Sequence, residues 1–157
     1  MADPSDDIEI AEFAGQLFFR LWRASHTETA AALQTIGLTP ALFAILNYLR
    51  AHDGAIQQQI GAAMGIDPST MVSLVDQLEQ AGLAKRRPHA QDRRAREVLV
   101  TPKGRATLDR ARELAGEVED RVLRGLSPTE RTRLVALMRK AYAKSPPQPP
   151  WSAEEAG

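Results

Sequence analysis

The sequence predicts a mainly α fold (α+β), built around a helix-turn-helix that is followed by a two-stranded β-wing. Three observations carry the prediction. Apolar residues recur at spacings of three and four along most of the 157 residues. Two short helical patterns meet at Gly65 with only a tight turn between them. A basic stretch over residues 86–104, RRPHAQDRRAREVLVTPKG, follows the second pattern and has turn residues at its centre.

The elements follow in order. Residues 8–34 read as a long first helix, with Ile10, Phe13, Leu17, Leu21 and Ala24 on one stripe and Phe18 and Trp22 widening it. Thr39 is a cap and Pro40 suits the first turn of a second helix, whose face is Leu42, Ile45, Leu46 and Leu49. His52, Asp53 and Gly54 stop it. IQQQIGAAMGI gives a short third helix that ends at Gly65. Asp67 caps a fourth, with Pro68 in its first turn. There Met71, Leu74, Val75 and Leu78 share one side, while Ser69, Ser73, Gln77 and Val72 show on the other. Gly82 ends it.

Residues 83–88 and 95–101 read as two strands joined by PHAQD, where Pro88 and Asp92 supply turn chemistry. Thr101 caps a fifth helix in which Leu108, Ala111, Ala115, Val118 and Val122 step by three and four, a coiled-coil-like seam. Ser127, Pro128 and Glu130 form a capping box for a sixth helix, which presents Leu134, Leu137, Met138 and Ala141. The chain is thus expected to divide into an N-terminal helix (1–35), a helix-turn-helix domain with its wing (36–101), C-terminal helices (102–144) and a Pro-rich disordered tail (145–157).

Composition narrows the class. There are 20 Lys+Arg against 20 Asp+Glu, so the chain is formally neutral, and there is no cysteine. Disulfides, thiolate nucleophiles and cysteine-based zinc sites are therefore excluded. His26, His52 and His89 are too scattered to suggest a metal site, and no cofactor is expected. No apolar run is long enough to span a membrane, and no charged-then-apolar leader opens the sequence, so a cytoplasmic protein is expected. No nucleophile–base pair stands out, which argues against an enzyme.

Neutrality hides an uneven distribution. Residues 85–105 hold Lys85, Arg86, Arg87, Arg93, Arg94, Arg96, Lys103 and Arg105 against only Asp92 and Glu97, a local excess of six positive charges. Such a patch beside a helix-turn-helix is the electrostatic footprint of a nucleic-acid binder, although a solvated charged hairpin would carry the same residues. In the helical pair, Gly61 permits close approach, Gly65 takes the backbone angle of the turn, and Ile60, Met64, Ile66, Met71 and Leu74 fill the angle between the helices. A pair of this kind places a helix in the major groove, and a basic hairpin directly after it can reach the neighbouring backbone and minor groove.

LTPALFAIL at 38–46, IGAAMGIDPSTMVSLVDQLEQAGLAKRRP at 60–88 and DRRAREVLVTPKG at 92–104 resemble the MarR family (multiple antibiotic resistance regulators) of winged-helix transcription factors. The resemblance implies that the wing inserts an arginine into the minor groove, steadied by the aspartate before it. By position Arg94 is the candidate for insertion and Asp92 its tether. Arg93 would be a phosphate contact or the alternate. A narrow groove concentrates negative potential, so a guanidinium gains there without reading a base pattern. Arg86 and Arg87 would hold phosphates.

On the fourth helix, Pro68, Ser69 and Thr70 form the first turn, where hydroxyls and backbone N–H groups suit phosphate. Ser73 and Gln77 would face base edges, where family members often carry a longer basic residue. Val72 is either a partner for a thymine methyl or a core residue.

A single recognition helix covers a half-site, so double-stranded DNA with a pseudo-palindromic operator implies a homodimer. Candidate dimer faces are Phe13, Leu17 and Leu21, the seam Leu108, Ala111, Ala115, Val118 and Val122, and Leu134, Leu137 and Met138; an intrachain helical layer is the alternative. Family members commonly bind small aromatic or anionic molecules. Phe18, Trp22, His26, Phe43 and Asn47 are the residues expected to line such a cleft, or else form plain core. The function expected is a homodimeric DNA-binding transcriptional regulator, a repressor relieved by a small ligand. The alternative is a winged-helix protein–protein adaptor that does not bind specific DNA.

Overall fold

The computed structural model describes residues 13–92 and 94–145, so Ile10, Arg93 and all but the first residue of the Pro-rich tail lie outside the described residues. Within them the order is α1 (Ala14–Gln34), α2 (Pro40–Ala51), α3 (Gln57–Met64), α4 (Pro68–Gln80), β1 (Ala84–Pro88), β2 (Arg96–Val100), α5 (Pro102–Val122) and α6 (Pro128–Tyr142). The two strands pair antiparallel, with Ala84 opposite Val100 and Pro88 opposite Arg96.

Local chemistry sets the helix starts. The Thr39 side chain accepts the Leu42 amide, Asp67 accepts those of Ser69 and Thr70, and Thr101 accepts that of Gly104. Ser127 and Glu130 close a reciprocal capping box. Each of the four is followed by a proline, whose fixed φ suits the first helical position. The turn between α3 and α4 needs its glycines. Gly65 has φ 65°, and a Cβ on Gly61 would stand 3.1 Å from the Ile66 carbonyl oxygen.

The core lies where α1, α2, α4, β2 and α5 converge. Leu33, Ile45, Leu46, Leu49, Ile60, Leu78 and Val98 are fully buried there. Each such side chain contributes on the order of 1.5–3 kcal/mol by leaving water. Three residues of the α5 seam, Leu108, Ala111 and Val118, are buried within the chain, the intrachain layer named as the alternative, which corrects their reading as dimer contacts. Leu108 and Ala111 join the cluster and Val118 is buried, all within one chain, while Ala115 and Val122 are half-buried. Within the chain, α5 packs against both α1 and α2.

Two connections anchor the wing to the body. Gly54 donates to Val98 and Val98 to Ala55, each at 3.0 Å, and Ile56 bridges Glu97, so residues 54–56 lie along the outer edge of β2. Asp53 accepts the Val100 amide at 2.9 Å and pairs with Arg105 at 2.5 Å, tying the end of α2 to β2 and α5.

The outer helices are bare. Phe13, Leu17, Phe18, Phe19, Leu21 and Trp22 are all exposed, Trp22 by 55%, and no residue of α6 is buried. The N-terminal half of α1 carries these apolar groups around most of its circumference and extends clear of the body.

Candidate nucleic-acid interface

Helix α4 packs against strand β1 of the wing, and both keep an exposed outer face. Met71, Leu74, Val75 and Leu78 turn into the core, which leaves Pro68, Ser69, Val72, Ser73 and Gln77 exposed. Val72 is 45% exposed, so it stands on the outer face and is not a core residue. An outward row of one apolar and several small polar side chains has the dimensions and chemistry to meet base edges in a major groove.

The first turn of α4 differs from expectation. Asp67 Oδ1 accepts the Ser69 and Thr70 amides, both at 3.0 Å, and the Ser69 hydroxyl at 2.6 Å. The donors proposed for phosphate are therefore engaged by a carboxylate, and Thr70 itself is buried. The Ser69 and Thr70 side-chain and backbone donors hold the Asp67 pKa at about 2, down from 3.8, so a full negative charge sits at this helix start. That is a cap, and it does not offer a ready anion cradle.

The wing is also more differentiated than its composition suggests. Arg86 was expected to hold phosphate. Its side chain is instead only 19% exposed and lies between β1 and α4. There it bonds Gln57, Asp76, Glu79 and the Val72 carbonyl. Two carboxylates and two neutral oxygens saturate most of its fork, which corrects the phosphate assignment. Arg87 pairs with Glu97 directly across the hairpin at 2.5 Å but remains mostly exposed. With Arg105 on Asp53, at least three cations of the basic stretch have carboxylate partners among the described residues.

The tip is where charge stays outward. Arg94 is exposed, and its backbone N–H donates to Asp92 Oδ1 at 2.9 Å. Asp92 thus folds the tip through the main chain and presents the Arg94 side chain beyond it; the tether expected from the sequence acts on the backbone. Lys85 is exposed at the wing base. The assignment of Arg93 lies outside the described residues.

The suggested ligand cleft is only partly assembled. Trp22 and His26 stack with centroids 5.0 Å apart, and Phe18 is exposed nearby on α1. Phe43 is half-buried against the core, and Asn47 accepts a hydrogen bond from Arg112 at 2.7 Å. Another flank of α1, with Phe19, Arg20, Arg23, Ala24, Thr27 and Glu28, is an open, shallow surface and, among the described residues, encloses no cavity. Among the described residues no acidic or histidine cluster could hold a metal ion, and no helix is long and apolar enough to cross a membrane.

Comparison with known proteins agrees with this geometry. The MarR family model matches residues 36–95, which span α2 to the wing tip. A protein assigned to regulate transcription of the hcr operon in Thauera aromatica is 31% identical over 140 residues, covering 87% of this chain and 84% of that one. The transcriptional repressor CouR, solved bound to a 23-mer DNA duplex, superposes with a TM-score of 0.79 at 31% identity, over 87% of this chain and 96% of CouR. BpsR of Bordetella bronchiseptica, whose DNA binding is regulated by 6-hydroxynicotinic acid, gives 0.75 at 26% identity, over 87% and 96%. The helix-turn-helix, the wing beside it and these likenesses together establish that the chain belongs to the MarR family of winged-helix transcriptional regulators, which bind DNA and are not enzymes.

Proposed function

We propose that this regulator acts as a homodimer on a pseudo-palindromic operator, as a repressor that a small aromatic or anionic ligand releases. The observation that carries the reading is the exposed outer face of α4, with Val72, Ser73 and Gln77, on a helix packed against a wing whose tip carries the exposed Arg94. In the proposed complex α4 enters the major groove. Ser73 and Gln77 face base edges and Val72 a thymine methyl, while Pro68 and Ser69 lie nearest the backbone. Arg94 enters the adjacent minor groove, with Asp92 shaping the turn behind it and Arg87 and Arg93 near phosphates.

The bare apolar surface of α1 and α6 supports the dimer. Phe13, Leu17, Leu21, Leu137 and Met138, with Leu134, would meet a second copy and set two α4 helices about one turn of DNA apart. The likeness to BpsR supports a small anionic aromatic effector. Arg20 and Arg23 on the exposed flank of α1 and the Trp22–His26 stack are its candidate contacts. A regulator of this kind works in the cytoplasm, where its DNA is.

A salt titration on a duplex carrying the DNA upstream of its own gene tests the reading. Log affinity should fall with log salt by about 0.9 per phosphate contacted. A flat dependence would favour an adaptor that has lost DNA binding.

A further inference from the structure

The guanidinium of Arg86 joins three elements that DNA binding needs in fixed relation. Nε donates to Gln57 Oε1 at 2.8 Å, at the first residue of α3. Nη1 donates to Asp76 Oδ1 and Glu79 Oε2, each at 2.5 Å, on α4. Nη2 donates to the Val72 carbonyl at 3.1 Å, in the same helix. The Arg86 backbone N–H donates to Glu79 Oε1 at 2.6 Å, so side chain and main chain grip one carboxylate. Four of the five N–H donors of a guanidinium are engaged, which leaves at most one for a phosphate.

We infer that Arg86 is a positioning residue that fixes the angle between the wing and α4, so that Arg94 meets the groove next to the one α4 enters. The inference deepens the DNA-binding mode proposed above and rests on it. Arg86 is the middle residue of β1, opposite Val98, and the tip is about five residues further on. At about 3.3 Å per extended residue the lever is at most ~16 Å long, and a 10° tilt at Arg86 would move the tip by up to ~3 Å. A guanidinium that must enter a groove about 6 Å wide cannot absorb that displacement. A lysine keeps the charge but lacks the planar fork that holds several acceptors at once.

A double-mutant cycle on the duplex upstream of the protein's own gene tests the inference. The background carries Asp76→Asn and Glu79→Gln, which still accept hydrogen bonds but leave no bare carboxylate facing the DNA once the guanidinium is gone. Into it go Arg86→Met, Arg94→Ala and the pair. Each single change should weaken binding by about ten-fold or more, and the pair should be no weaker than Arg94→Ala by more than about two-fold. In the free protein, amide exchange should quicken across the wing in Arg86→Met while the α2 core stays protected.

Losses that multiply in the pair, or wing amides that exchange as before, overturn the inference. If Arg86→Met does not fold, Arg86→Lys takes its place under the same expectations. If the parent chain ignores the duplex at every salt concentration, the DNA-binding mode itself falls. Parent binding with independent losses removes only the role of Arg86.

Discussion

Gly104 lies directly against the Leu83 carbonyl. A Cβ on Gly104 would stand 2.0 Å from that oxygen and 2.9 Å from Val100 Cγ1. The same oxygen accepts the Thr101 amide at 3.0 Å, so it cannot move away without opening the junction of wing and α5. Gly104→Ala is therefore expected to destabilise the fold by about 3 kcal/mol or more, at or beyond the top of the usual overpacking range. Urea unfolding would measure it, and a midpoint equal to that of the parent chain would refute the close approach.

Asp67 makes a pH prediction whose sign is fixed. Its pKa is lowered in the folded state, so its stabilising contribution is complete above 3.8 and is lost as pH falls toward about 2. Asp67→Ala should lower the melting temperature by a few degrees at neutral pH. The gap between variant and parent should close as pH drops through that interval. Thermal melts at stepped pH check this, and a gap that persists unchanged at the acid end would show that the carboxylate does not act through its charge.

Arg94→Ala should weaken operator binding by about 1–3 kcal/mol and leave melting temperature and assembly unchanged. Its loss should also flatten the salt dependence, by about one phosphate equivalent or less. Fluorescence anisotropy at several salt concentrations reads both effects. Unaltered affinity would remove the wing tip from the interface.

Leu21→Glu and Leu137→Glu should each shift the chain toward monomer. Both side chains are exposed in one copy, and a charge buried without a partner opposes association. Sedimentation equilibrium measures the change. If both variants associate as tightly as the parent, α1 and α6 do not form the dimer face.

How much of this was legible in the sequence depended on range. The caps at Thr39, Asp67, Thr101 and Ser127 act over two or three residues, and each stands where the sequence placed it. The α5 seam was visible as an apolar stripe, but a stripe does not say which helix will cover it; Leu108, Ala111 and Val118 are covered from within. Arg86 misled for a related reason. An arginine in a basic run looks the same whether it faces phosphate or carboxylate, and the deciding groups, Asp76 and Glu79, lie one element earlier. The edge contact of residues 54–56 with β2 was silent, because it uses backbone atoms that every residue shares.

The bare half of α1 links the amount of protein to its behaviour. In the proposed dimer those apolar groups leave water only when a second copy arrives, so association adds to the stability of each subunit, which rises with the number of molecules present. Where free subunits predominate, promoter occupancy follows roughly the square of their concentration. Halving the supply would then cut occupancy about four-fold, and the stickiness of Phe13, Leu17 and Leu21 would set the dose at which the gene switches.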